Sequence, residues 1–171
     1  MEICQGGVFV DPGATASDNC GGNLTGLIAV TGSVDGNTPG VYMITYKVTD
    51  ACGNMASTTR TVTVNANPTV TGTVTNVDCH GESTGVIDIT PNGGAGGYTY
   101  NWSGPGIVNP ALQDQTGLPA GTFLLTVTDS KGCSVTTSFG ITEPTELQPV
   151  IVFKQDASCN GANDGVAFIA A

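Results

Sequence analysis

GVYMITYKVTDACGN, residues 40–54, is the stretch from which the rest of the chain can be read. Tyr42, Ile44, Tyr46 and Val48 fall on one side of a period-two alternation with Thr45 and Lys47 between them, the pattern of a strand that buries one face. The strand runs into Thr49 and Asp50 and then a turn containing Gly53. GTFLLTVTDSKGC, residues 121–133, repeats the plan: Phe123, Leu125 and Val127 share a face, and Thr128 and Asp129 lead into a turn at Gly132. Val62 and Val64 after the first stretch, and Val135, Phe139 and Ile141 after the second, continue the alternation, so each stretch predicts a hairpin closed by a Gly-containing turn. These are half-buried strands of a sandwich.

Composition agrees. The chain has 171 residues with 25 Gly and 9 Pro, Thr and Val recur in nearly every segment, and no window repeats apolar residues at helical spacing, so almost no helix is expected. Fourteen acidic residues stand against Lys47, Arg60, Lys131 and Lys154, a formal charge of -10. Phosphate binding needs clustered cations, so nucleic acid is not an expected partner. An acidic surface keeps an extracellular polymer soluble and can recruit divalent cations. Six cysteines in such a chain read as a disulfide framework in an oxidising compartment. Met1 is followed by Glu2 and no apolar run, so no secretory leader or membrane span is expected within these residues, and export is expected to be encoded upstream.

An internal repeat organises the chain. VDCHGESTGV, residues 77–86, recurs as ASCNGANDGV, residues 157–166, at an offset of 80 (159 − 79). One module is therefore expected over residues 67–147, a further copy opening over residues 148–171, and a separate module over residues 1–66. Asn65 to Thr69 and Glu143 to Pro149 carry the linker prolines, and short joints of this kind predict modules in line rather than loosely strung.

DPGATASDNCGG (residues 11–22), followed by VTGSVDGNTPGVYMITYKVTDACGNMASTTRTVTV (residues 30–64), resembles the bacterial immunoglobulin-like surface domains related to hyalin repeats. DCHG, GGYTYNWSG, LPAGTFLLTVTDSKGC and FGITEP, within residues 77–144, resemble the SprB-type repeat of large adhesins in gliding Bacteroidetes. The resemblance implies an all-β fold of tandem immunoglobulin-like β-sandwiches, elongated and disulfide-bonded, with type IX secretion, cell-surface display and a role in adhesion or gliding motility. Neighbouring modules of the same polypeptide, further copies of the chain, and surface glycans or proteins are the implied partners. It also implies the disulfides Cys20–Cys52 and Cys79–Cys133, each worth on the order of 4 kcal/mol by chain entropy. Cys159 matches Cys79 and would find its partner beyond residue 171, while Cys4 has none assigned; either is free or joined to another copy. Relative to the first family, the N-terminal module lacks its first strand. Truncation is the simple explanation, and the sharper one is donor-strand exchange, with residues 148–171 completing a neighbour's sheet to build a filament.

Other candidate sites need weighing against plainer readings. Gly81, Ser83 and Gly85 fit the G-x-S-x-G nucleophile pattern with His80 beside them, but an alternating strand rather than a helix follows, and the second copy places Asn163 where Ser83 stands and has no histidine. No catalytic residue is assigned, and the kept glycines predict a turn. Tyr98, Tyr100 and Trp102 alternate on one strand face; they would make a platform for sugar stacking, but the favoured reading is core packing, with Trp102 near a Cys79–Cys133 bridge. Asp11, Asp18, Asp35 and Asp50 would offer oxygen ligands to Ca²⁺, whereas scattered aspartates more commonly cap turns. No other cofactor is implied.

Overall fold

The computed structural model describes residues 1–170, and within them the chain is built of strands and turns, with one 3-10 turn at Thr25–Leu27. β1 (Glu2–Cys4) is followed by a two-residue-per-strand ribbon, β2 (Ser17–Asp18) and β3 (Gly22–Asn23). β4 (Ala29–Thr31), β5 (Gly40–Thr49) and β6 (Met55–Asn65) then complete a four-stranded sheet ordered β1-β6-β5-β4, in which β1 runs parallel to β6. The alternation of β5 holds: Ile44 and Tyr46 are buried, Tyr42 and Val48 half-buried, and Val62 and Val64 bury beside them.

A full second layer over this sheet is not formed. The loop at Asp11 and Gly13 lies against the covered face instead, because residues 11–22 are dense in Gly, Asp and Pro, which favour turns over ladders. The register Ile44↔Arg60 puts Arg60 on the covered side. Its guanidinium there pairs with Asp11, donates to Gly13 O at 2.8 Å and lies 5.1 Å from the centroid of the Tyr46 ring. Tyr46 Oη donates to Asp11 as well, so one carboxylate pins the loop onto the sheet.

Residues 68–141 do form two layers. β7 (Pro68–Thr75), β8 (Gly85–Gly93) and β10 (Gln115–Leu118) make one sheet, ordered β10-β8-β7; β9 (Thr99–Ser103), β11 (Gly121–Thr128) and β12 (Ser134–Ile141) make the other, ordered β12-β11-β9. Ile87 and Ile89 from the first sheet meet Trp102, Phe123, Leu125 and Val127 from the second in one dry core.

β13 (Val150–Gln155) and β14 (Val166–Ala170) form a hairpin. Its register Gln155↔Val166 is that of Thr75↔Val86 displaced by the sequence offset, so the second copy begins as the first does. Phe153 and Phe168 stack across this hairpin at 5.9 Å where the first copy pairs Thr73 with Asp88.

Candidate functional site

The N-terminal sheet and the central sandwich are joined at two places in the covalent chain. The peptide passes directly from β6 to β7 through Ala66 and Asn67. Alongside it, Cys4 at the end of β1 is disulfide-bonded to Cys133, the residue just before β12, with Cα atoms 5.3 Å apart and a sequence separation of 129. β1 brings Cys4 there because its parallel pairing sets Cys4 beside Asn65, the last residue before the linker. Gln5 N–H donates to Asn65 O at 2.8 Å, and Asn67 Nδ2 donates to Gln5 O at 3.1 Å. Lys131 Nζ crosses the same junction to the Glu2 carboxylate at 3.0 Å, and this hydrogen bond holds the Glu2 carboxyl below its ordinary value. An exposed pair of this kind contributes little stability; its part is to fix orientation beside the sulfur bridge.

Asp129 prepares the other half of the joint. It is 5% exposed, and its carboxylate accepts N–H bonds from Ala95, Cys133 and Lys131, each at 2.9 Å. These bonds, that from Ala95 first, hold its carboxyl below the usual carboxylate value. The turn thereby fixes the backbone of Cys133, whose side chain is wholly buried.

The expected pairing Cys79–Cys133 is therefore wrong. Ala95 sits just past the Gly93 end of β8, which pairs with Pro68, so the Asp129 turn lies at that end of the sandwich. Cys79 lies in the loop at the opposite end, between Thr75 and Gly85. The eight residues of β7 separate the two by about 25 Å, and a disulfide tolerates a Cα separation of only about 7 Å. Cys20 and Cys52 are also corrected, since both are free, exposed thiols. They line one cavity of about 310 Å³ with Asp18 and Asp50. Asp18 accepts N–H bonds from Cys20 and Gly21, and Asp50 accepts them from Cys52 and Asn54, so each cysteine is held in its own capped turn. Cys4, placed among the unpaired cysteines, is in fact bonded; Cys79 and Cys159 are exposed and free. Cys4 was legible through its neighbours, because Cys4-Gln5-Gly6 repeats the Cys-x-Gly of Cys79 and Cys159, but at 75 residues rather than 80.

The remaining candidates resolve into structural parts. Trp102 is 3% exposed, its indole Nε1 donates to Leu112 O at 3.0 Å, and its ring packs on Phe139 at 5.7 Å rather than on a sulfur bridge. Tyr98 and Tyr100 are half-buried against the same core, their hydroxyls donating to Gly93 O and Gln113 Oε1, so the three aromatics form no exposed platform. His80 Nε2 lies 3.6 Å from Glu143 Oε1 in the loop before β8, and Gly81 takes the positive φ of 78° that the turn requires. The four aspartates do not converge: Asp11 serves Arg60, Asp35 caps Asn37 and Thr38, and Asp18 and Asp50 cap their own turns. Among the described residues no three His, Cys, Asp or Glu side chains are gathered as metal ligands would be.

The family model for the Ig-like domain of bacterial surface proteins matches residues 1–64, and that for the SprB repeat matches residues 71–106. Among solved structures, a C-terminal 282-residue fragment of intimin, in complex with the intimin-binding domain of the translocated intimin receptor, aligns at 20% identity and TM-score 0.42. The alignment covers 61% of this chain and 40% of the fragment. The amphioxus IgVJ-C2 molecule aligns at 18% identity and TM-score 0.37 over 61% of this chain and 60% of its own. The lipoprotein BT2262 from Bacteroides thetaiotaomicron aligns at 19% identity and TM-score 0.35 over 87% of this chain and 79% of its own. This chain thus spans less than two thirds of the first two. No curated protein matches the sequence. Residues 1–64 are thus similar to a bacterial surface-protein Ig-like domain, and residues 71–106 to a SprB repeat.

Proposed function

We propose that this chain is a spacer segment of a large secreted cell-surface adhesin, serving adhesion or gliding by holding distance and bearing load rather than by chemistry. The observation that carries the reading is the double covalent joint, in which the Ala66–Asn67 peptide and the Cys4–Cys133 bridge run side by side between the first sheet and the sandwich. Two attachments resist bending and twisting where one permits a swivel. The titratable side chains support the same reading, since Asp11, Asp18, Asp50 and Asp129 are each committed to pinning a loop or turn. Surface display is supported by the Ig-like match and by the acidic charge of -10. Removing the coding segment in frame from the parent gene tests it. Cells are expected to keep their binding preference but to detach at lower shear. Loss of static ligand binding equal to loss of the whole protein would refute the spacer role.

A further inference from the structure

Three turns in the chain share one construction. Cys4-Gln5-Gly6, Cys79-His80-Gly81 and Cys159-Asn160-Gly161 each place glycine at positive φ, 86°, 78° and 89°. In each, the residue after glycine donates its N–H to the cysteine carbonyl: Gly7 to Cys4 at 2.8 Å, Glu82 to Cys79 at 3.2 Å, and Ala162 to Cys159 at 3.1 Å. The first two are also tethered to the strand by which the chain leaves their unit. Gln5 N–H bonds Asn65 O at the end of β6, while Val77 N–H bonds Thr142 O just past β12, and Gly81 N–H bonds Glu143 Oε2 at 2.7 Å. A Cys-x-Gly turn therefore stands at the exit end of both the N-terminal sheet and the sandwich.

The opposite end carries a second shared construction. Asp50 accepts N–H bonds from Cys52 and Asn54, and Asp129 accepts them from Lys131 and Cys133, at the same positions of the hairpin turn. The first joint is made by the Cys-x-Gly turn of the earlier unit meeting the Asp-x-x-Gly-Cys turn of the later one, and its covalent product is Cys4–Cys133. Cys79 repeats the first half of that arrangement, with an exposed free thiol beside the Glu143 linker.

We infer that Cys79 is a joint cysteine, which forms a disulfide with the cysteine of an Asp-x-x-Gly-Cys turn in the SprB-type module that follows it. The bond is made by exchange with an oxidised dithiol: the two thiols become one S–S bond, and the donor disulfide takes up both electrons and both protons as two thiols. Sulfur bridges then run between successive modules rather than within them, and the segment is covalently closed at every joint. This goes beyond the spacer role, because turn-to-turn pairing stands or fails whatever the segment bears.

The test extends the full chain past Ala171 with a second copy of residues 92–147, which completes the last repeat and supplies another Asp-x-x-Gly-Cys turn. The protein is refolded with oxidised glutathione, its free thiols are alkylated, and it is digested without reductant. The expected result is a peptide joining Cys79 to the added turn cysteine, with loss of Cys79 alkylation; the Cys4–Cys133 peptide in the same digest reports that the first joint has folded. Cys79 fully alkylated, or joined to Cys159, overturns the inference. In the unextended chain, Cys4→Ser frees Cys133, and concentrated protein under the same oxidant is expected to give reducible oligomers linking Cys133 of one copy to Cys79 or Cys159 of the next. Absence of those linked peptides, or an intrachain Cys79–Cys133 bond, overturns it equally.

Discussion

Tension applied between the two ends of the oxidised chain reaches Cys4, crosses the sulfur bridge, and continues from Cys133, so the 128 residues between them carry none of it once the fold yields. With a sequence separation of 129 and about 3.5 Å per extended residue, reduction should release about 450 Å of hidden contour length. Closing a ring of that size also contributes on the order of 5 kcal/mol by the chain-entropy estimate. Single-molecule force spectroscopy with handles at both termini measures the contour length directly. The oxidised chain is expected to stretch by about 130 Å, from the residues after Cys133, and to gain about 450 Å when reductant is added. A gain of about 190 Å would identify a ring closed from Cys79 to Cys133, and about 110 Å one closed from Cys20 to Cys52. Either, or no gain at all, refutes the cross-joint bridge.

Four substitutions probe other parts of the fold. Phe123 is fully buried in the sandwich core, so Phe123→Ala should destabilise by about 3–5 kcal/mol, read as a lower urea midpoint by the fluorescence of Trp102. A Cβ added at Gly85 would lie 2.8 Å from Leu118 O and 2.9 Å from Ile141 Cδ1, so Gly85→Ala should cost about 1–3 kcal/mol in the same assay. Gly140→Ala, with nothing within 4 Å, should be close to neutral. The folded-state pKa of Asp129 is depressed, so its contribution is present above the ordinary carboxylate value and is lost as pH falls through the folded one. Stability measured from neutral pH to below about pH 4 should fall in the native chain and fall less in Asp129→Asn; equal slopes would contradict the capping role.

The strands were legible because period-two alternation is local. Ile44, Tyr46, Phe123, Leu125 and Val127 are all buried, as their positions in the two hairpin stretches require. The burial of Trp102 was expected by likeness to immunoglobulin-like sandwiches, though its ring packs on Phe139 and not on a sulfur bridge, and the turn at Gly81 was expected from the glycines kept in both copies of the repeat. Sulfur pairing was not legible, because it depends on which end of the sandwich each loop occupies, and a strand of eight residues separates two loops that resemblance alone had paired. The layer opposite β5 and β6 escaped for a different reason. Arg60 looks like a surface cation in sequence, yet its register with Ile44 sets it on the covered face, where Asp11 and Tyr46 hold a loop in place of a second sheet.

Peptide mapping of the oxidised, unreduced chain by mass spectrometry addresses the sulfur connection most directly. One linked peptide containing Cys4 and Cys133 is expected, with Cys79 open to alkylation in this chain. A linked peptide containing Cys79 and Cys133, or a Cys4 that alkylates freely, would contradict it.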